Sequence, residues 1–146
     1  MKRLIFDTGP FVLIFTNGKG SMEAREAILK HEEGKLEIFM HPNNLAEAYK
    51  VISLMRRENP HFPTVEPELI IRSAYATLRV IHDEETTAKL GMLKLEYSGK
   101  PWGDLSSAAL SLRLSEKEKV PVVILDDEKH FIDIKEICTL HVSDLH

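Results

Sequence analysis

The sequence predicts an α/β protein built on a parallel sheet, and two observations carry this prediction. Short apolar runs alternate with helical segments along the 146 residues, which is the order that builds strand–helix–strand units. The clearest runs, residues 4–6 and 122–125, are continuously apolar, which is typical of strands covered on both faces. We therefore expect a three-layer sandwich in one domain over residues 1–146, with a central parallel sheet of four to five strands flanked by helices.

The first half of the chain has clear boundary residues. The sequence from Asp7 to Pro10 ends the first strand, Gly34 suits a helix C-terminus, and Pro42 precedes a long helical pattern. These features predict strands at residues 3–6 and 36–40, and helices at about 10–16, 21–33 and 44–58.

The second half begins after a proline-rich loop at residues 59–67. Its apolar spacing predicts helices at 68–78, 84–97 and 104–117, strands at 79–82 and 121–125, and one or two edge strands within 135–142. On local sequence, Asp104 is expected to be the N-cap of its helix.

Composition and charge limit the classes of function. The formal net charge of −4 argues against a protein that binds nucleic acid by bulk charge, so such a role would need a local patch or bound metal ions. Cys138 is the single cysteine, which excludes an intrachain disulfide and favours a reducing, cytoplasmic setting. No uncharged apolar run approaches ~18 residues, so we expect no membrane span.

Carboxylates follow two of the predicted strands. Asp7 comes directly after the first strand, and Asp126 and Asp127 come directly after the strand at 121–125. Ligands of open parallel sheets bind beyond the carboxyl ends of the strands, so these side chains are candidates for a shared site. The alternative is that each aspartate merely caps the next helix.

Two further carboxylates lie on predicted helices. Glu47 shares a helix face with Val51 and Leu54 and is expected to be half-buried, which is costly for a carboxylate without a partner or a metal. A nearby Lys50 or Arg72 could instead pair with it. Asp104 opens a helix whose small residues permit close packing on the sheet.

Several converging carboxylates repel one another unless a cation or protons neutralise them. Mg²⁺ or Mn²⁺ suits a site of a few carboxylates, waters and a phosphate substrate, and the chemistry that follows is phosphodiester hydrolysis. Two histidines, His41 and His130, could lie near such a pocket, although a surface or capping position is more usual for each.

The order of these residues resembles the PIN-domain family. The resemblance rests on Asp7-Thr8, on Glu47 in a long helix after the second strand, on Trp102-Gly103-Asp104 opening a helix, and on an aspartate after a late strand. By size the chain is most similar to the toxin component of VapBC toxin–antitoxin pairs. The resemblance implies a metal-dependent ribonuclease acting on RNA, a homodimer, and a small antitoxin protein that often holds the enzyme inactive.

Transferred by position, the family pattern implies an acidic pocket formed by Asp7, Glu47, Asp104 and Asp126. Asp7 and Asp104 would be the most direct metal ligands, and Glu47 would hold a metal-bound water or a second metal. The resemblance also implies that the hydroxyl of Thr8 contacts water or substrate.

Three departures from the family pattern are visible. Gly9 stands where the family often has Ser or Asn, Leu105 stands where it usually has Ala, and no Ser or Thr precedes the fourth acid. Asp127 or Glu128 therefore remain alternatives to Asp126 as the fourth acid.

Other functions remain open at this level. A phosphatase with an aspartate nucleophile would usually have a second aspartate at the position of Gly9. A PIN-fold domain that has lost catalysis and binds RNA or protein is another alternative, as is an RNA-processing nuclease without an antitoxin.

Overall fold

The computed structural model describes residues 2–61, 65–131 and 133–145. The strands are β1 (Lys2–Phe6), β2 (Leu36–Met40), β3 (Arg79–Val80), β4 (Val123–Asp126) and β5 (Thr139–His141). The helices are α1 (Thr8–Leu13), α2 (Ser21–Glu32), α3 (Pro42–Glu58), α4 (Pro67–Thr77), α5 (Glu84–Glu96) and α6 (Trp102–Glu118), and a short 3₁₀ helix covers Val142–Asp144.

The five strands form one parallel sheet in the order β3-β2-β1-β4-β5. The register pairs Leu4 with Ile38 on one side of β1 and with Val123 on the other. The predicted parallel sheet is therefore confirmed. The chain moves outward from β1 in both directions, so β1 and β4 lie side by side where the order of the strands reverses.

Alternate residues of the central strands face two separate cores. Leu4 and Phe6 of β1 pack with apolar residues of α1, α2, α3 and α4. Ile5, between them, packs on the other face with Ile124 and with α5 and α6. This alternation follows from the two-residue period of a strand, and it confirms the predicted three-layer arrangement.

Three helices begin two residues earlier than the sequence predicted. α1 begins at Thr8, directly after Asp7, and α3 begins at Pro42 because the fixed φ of proline suits a first helical position. α6 begins at Trp102, after the extended Pro101. The prediction that Asp104 is an N-cap is wrong: it lies in the first turn of α6, where a carboxylate is favoured by the helix dipole.

Among the described residues, no helix combines the length and the apolar character needed to cross a membrane.

His31 joins three elements of the fold. Its Nδ1 accepts a hydrogen bond from the backbone N of Ile38 at 3.1 Å, and its Nε2 lies 2.6 Å from the carbonyl oxygen of Thr77. Because the amide can only donate, the proton must be on Nε2, which donates to Thr77. The ring thus satisfies a strand amide at a point where β3 has not begun to pair with β2.

We expect His31→Ala to lower the free energy of unfolding by about 1–3 kcal/mol, because two hydrogen bonds are lost and the Ile38 amide loses its partner. Urea denaturation at neutral pH measures the change. His61→Ala is the matched control, since His61 is exposed. Equal stability of the two variants would contradict this role for His31.

Candidate metal centre

The candidate site lies at the carboxyl ends of β1 and β4, where the strand order reverses. Asp7 directly follows β1, and Asp126 is the last residue of β4. The backbone N of Asp7 donates to the carbonyl of Leu125 at 3.2 Å, which fixes the two strand ends together. This is the position at which open parallel sheets bind ligands.

Asp7 is the most buried carboxylate of this region together with Asp126, each with 2% of its surface exposed. Its Oδ1 accepts hydrogen bonds from Ser107 Oγ at 2.8 Å and from Asn44 Nδ2 at 3.1 Å. Its Oδ2 lies 3.6 Å from Nδ1 of His130. Oδ1 of Asp7 is thus held by neutral donors, and Oδ2 lies near the ring of His130.

Burial raises the pKa of Asp7 to about 7. The hydrogen bond from Ser107 lowers this pKa, but the negative charges of Asp126 and Asp104 raise it further. A carboxylate in such surroundings takes up a proton near neutral pH unless a cation neutralises it.

α3 and α6 each contribute two polar side chains spaced three residues apart. Asn44 and Glu47 share one face of α3, and Asp104 and Ser107 share one face of α6. Asn44 Nδ2 also donates to the carbonyl of Gly103 at 3.0 Å, and Ser107 Oγ lies 3.2 Å from Asn44 Oδ1. These bonds fix the two helix starts relative to each other and to Asp7.

Gly103 leaves room for the carboxylate of Glu47. A Cβ at position 103 would lie 2.6 Å from Oε2 of Glu47, which is closer than the two atoms can approach. Glu47 forms no ion pair among the described residues, so the predicted alternative of a partner at Lys50 or Arg72 does not hold there. It lies instead at the wall of a cavity with Asp104.

Burial also raises the pKa of Asp104. His130 and Lys100 lower this pKa through their charges, whereas Glu47 and Asp126 raise it. The effect is in the same direction as at Asp7, and it has the same main cause.

Asp126 uses its carboxylate to hold the turn after β4. Its Oδ1 accepts from the backbone N of Asp127 at 2.9 Å and of Glu128 at 3.2 Å, and its Oδ2 accepts from the backbone N of His130 at 3.1 Å. The side chain of His130 adds a fourth bond, from Nδ1 to Oδ1 at 2.9 Å. Asp126 is not among the residues that line the cavity.

Asp127 faces the cavity and lies against Gly9. A Cβ at position 9 would be 2.1 Å from Oδ1 of Asp127, so the carboxylate fills the space that a side chain would occupy there. This oxygen is buried and has no hydrogen-bond partner in the described part of the chain. Burial raises the pKa of Asp127 as well.

His130 lies within the acidic cluster. Burial disfavours its charged form, but the hydrogen bond with Asp126 and the charges of Asp126, Asp104 and Asp7 raise its pKa overall. Its backbone carbonyl accepts from Nζ of Lys100 at 2.9 Å, and Lys100 also pairs with Asp133 at 2.8 Å. The turn after β4 is thereby tied to the loop before α6.

The acidic groups line a cavity of about 630 Å³. The cavity is also lined by apolar side chains of α1 and α3, namely Val12, Leu13, Val51 and Met55. This volume lies within the range of about 300–1,000 Å³ that is usual for ligand pockets.

The donor set fits a hard divalent cation. Asp7, Glu47, Asp104 and Asp127 offer carboxylate oxygens around one cavity, and one of these oxygens is buried without a partner. One oxygen each of Asp7 and Asp126 and a ring nitrogen of His130 also lie within 4.8 Å of one another. Oxygen-rich donors of this kind suit Mg²⁺ or Mn²⁺.

The structure brings together most of the acids singled out in the sequence. Asp7, Thr8, Glu47, Asp104, Asp127 and Glu128 all line the cavity, whereas Asp126, the last residue of β4, does not. Glu128 is largely exposed and its Oε2 lies 3.2 Å from Nε2 of His130. His41 caps α3 through its Nδ1.

Sequence reasoning missed Asn44 and Ser107, both of which are fully buried. The available signal was their spacing, because each lies three residues from a candidate acid on the same helix.

Comparison with solved structures identifies the fold. The chain is similar to VapBC2 from Rickettsia felis bound to a promoter DNA fragment, with 14% identity, a TM-score of 0.62, and coverage of 94% of this chain and 97% of that chain. It is similar to a toxin–antitoxin complex from Klebsiella pneumoniae, with 17% identity, a TM-score of 0.56, and coverage of 93% and 96%.

It is also similar to PAE2754 from Pyrobaculum aerophilum, with 11% identity, a TM-score of 0.60, and coverage of 97% and 90%. The chain therefore has a PIN-type fold, as its sequence predicted. No protein-family profile and no curated protein sequence matches it.

We expect Asp7→Asn to stabilise the metal-free protein above neutral pH. The folded-state pKa of Asp7, about 7, exceeds the ordinary value of 3.8, so its contribution favours folding at low pH and is lost as pH rises toward 7. The asparagine retains the acceptor for Ser107 and Asn44 but carries no charge. The gain at pH 8 should be on the order of a few kcal/mol, at about 1.4 kcal/mol per pKa unit.

Urea denaturation in EDTA between pH 5 and pH 8 measures this effect. The wild type should lose stability across that range, and the variant should lose less. Asp144→Asn, at an exposed position, serves as the control. A variant that is less stable than the wild type at pH 8 would contradict the assignment of a buried, destabilising charge to Asp7.

Proposed function

We propose that this protein is a metal-dependent endoribonuclease that hydrolyses RNA phosphodiester bonds. The observation that supports this most directly is the convergence of Asp7, Glu47, Asp104 and Asp127 on one cavity at the carboxyl edge of the sheet. The four acids come from four separate segments of the chain, and neither helix capping nor ion pairing accounts for all of them.

In this proposal Asp7 and Asp104 hold Mg²⁺ or Mn²⁺ most directly, and Glu47 and Asp127 complete the acidic shell. When bound, such an ion supplies Lewis-acid polarisation of a phosphate and activation of a water molecule. The raised pKa values of Asp7, Asp104 and Asp127 support an acidic metal site, because burial disfavours their charged forms and a cation would favour them.

The neutral residues of the site orient the acids. Ser107 and Asn44 bind one oxygen of Asp7, so its carboxylate is fixed before any ligand arrives, which is the condition for electrostatic preorganisation. Thr8 lines the cavity and accepts from Asn44 Nδ2 at 3.1 Å. We assign its hydroxyl to contact with substrate or water.

Asp127 is assigned here as the fourth acid, and Asp126 as a positioning residue. Three backbone amides and His130 already engage the carboxylate of Asp126. Within the part of the chain that the structure describes, Asp127 has a buried oxygen without a hydrogen-bond partner, and its carboxylate lies against Gly9. The glycine that departs from the family pattern is the residue that gives this carboxylate its place.

The biological role is proposed by analogy with the structural neighbours. Two of them are VapBC2 from Rickettsia felis and a toxin–antitoxin complex from Klebsiella pneumoniae. We propose that this chain is likewise a toxin held inactive by a small antitoxin protein, and that it acts as a homodimer. The fold alone does not carry function, and the acidic cavity is what favours an active enzyme over a binding domain that has lost catalysis.

The proposal is tested by incubating the purified chain with end-labelled single-stranded RNA in Mn²⁺, in Mg²⁺ and in EDTA. We expect cleavage only with a metal ion. Asp104→Asn should lower kcat by about 10²–10³, the loss that is usual when a preorganised electrostatic contact is removed. Asp144→Asn, an exposed acid, should cleave like the wild type.

Two results would overturn the proposal. Cleavage that persists in EDTA, or that survives Asp104→Asn, would point to a contaminating nuclease or another mechanism. RNA binding without cleavage in either metal would instead support an inactive binding domain. DNA of the same sequence, included beside the RNA, tests the choice of substrate.

We also expect Gly9→Ala to weaken Mn²⁺ binding by about 10- to 100-fold, a loss typical of displaced residues around a metal. Gly9 is in the first turn of α1 and its φ is not positive, so the backbone accepts alanine. The added Cβ must displace the carboxylate of Asp127. Mn²⁺ affinity is measured by EPR of the free ion.

Asp127→Asn should give a similar loss, and the double variant should be no weaker than either single one, because both changes remove the same contact. Gly91→Ala is the matched control, since a Cβ there meets nothing within 4 Å. Unchanged Mn²⁺ affinity in both single variants would exclude Asp127 from the metal site.

A further inference from the structure

Trp102 is the only tryptophan of the chain, and 53% of its surface is exposed. It is the first residue of α6, two positions before Asp104. A large aromatic residue is usually buried to a high degree, whereas this one is half exposed and lies two residues before Asp104, which lines the acidic cavity. Neither the core nor the proposed metal centre uses its side chain.

The backbone that carries this ring is firmly held. The carbonyl of Trp102 accepts from Ser106 Oγ at 2.7 Å, and Ser106 in turn accepts from Asn43 Nδ2 at 3.0 Å. Pro101 fixes the chain direction just before it. The ring is therefore carried by a rigid helix start, and little conformational entropy is lost when it binds a ligand.

A positive charge accompanies the ring. The ammonium of Lys94 lies 5.1 Å from the centroid of the indole, within the distance of a cation–π contact. Among the described residues Lys94 forms no ion pair, and its Nζ donates to the carbonyl of Lys100. Its charge is thus not neutralised by a carboxylate.

We propose that Trp102 and Lys94 bind a nucleobase and an adjoining phosphate of the single-stranded RNA whose scissile phosphate enters the acidic cavity. Single-stranded RNA is held by stacking of its bases on exposed aromatic rings together with basic side chains. Lys94 lies close to the indole but leaves about half of the residue exposed. Ring surface therefore remains available for a base. This inference rests on the proposed ribonuclease function and adds a substrate contact outside the metal centre.

Because Trp102 is the sole tryptophan, its fluorescence reports on this position alone. The Asp104→Asn variant in Mn²⁺ is titrated with an unlabelled ten-nucleotide single-stranded RNA of mixed sequence, and in parallel with an abasic oligonucleotide of the same length. We expect saturable quenching by the RNA and little quenching by the abasic backbone. Quenching that is equal for both probes would overturn the stacking contact.

Binding of the same RNA, labelled with fluorescein, is then compared between variants by anisotropy. Trp102→Ala should weaken binding by about 5- to 150-fold, the range that corresponds to the stacking of one base. Trp102→Phe should recover part of the loss, whereas Trp102→Leu, which is apolar but has no ring, should not. Leu95→Ala, at a residue 87% exposed on α5, is the control for an exposed apolar side chain.

In the active chain, Trp102→Ala should raise KM and leave kcat nearly unchanged, because the contact is equally strong before and during the reaction. A chain that cleaves RNA while Trp102 stays unquenched overturns the stacking contact and leaves the nuclease intact. A chain that neither binds nor cleaves RNA overturns both. A fluorescence shift on dilution without RNA would show that the ring is a contact between protein copies, and would also overturn the inference.

Discussion

The cost of burying the charge of Asp7 governs the arrangement around it. The carboxylate is almost inaccessible to water, and its neutral donors, Ser107 and Asn44, satisfy one oxygen without cancelling the charge. Asp126 and Asp104 add negative charge that raises its pKa further, and among the described residues His130 is the one basic side chain that pairs with it. A cation bound here would stabilise the fold, so the surroundings of one side chain would link stability, pH and ligand binding.

Two glycines let carboxylates enter that region. Gly9 accommodates Asp127, and Gly103 accommodates Glu47. In each case the missing Cβ lies on one element and the acid on another, so the close approach depends on the tertiary fold. In the sequence, Gly9 is a departure from the family pattern. In the fold, the carboxylate of Asp127 fills the volume that a side chain at position 9 would occupy.

The sequence was sufficient for the parallel sheet, for Asp7 at the end of β1 and for the helix face of Glu47, since each follows from period, polarity and position at a strand end. It placed Asp104 at a helix start but not within the first turn, because the helix begins after Pro101. It was insufficient to separate Asp126 from Asp127. The directions of these two adjacent side chains are set by the turn that follows β4. Backbone amides and His130 hold that turn. Asn44 and Ser107 escaped notice because a buried neutral side chain has no distinctive composition, only its contacts.

The lysine bridge between the turn after β4 and the loop before α6 has a mechanical consequence. Lys100 donates to the carbonyl of His130 and pairs with Asp133, so two loops remote in sequence are joined next to a residue that lines the cavity. Displacing either loop would therefore strain the other, so the position of His130 beside Asp126 depends on a lysine that lies outside the cavity lining.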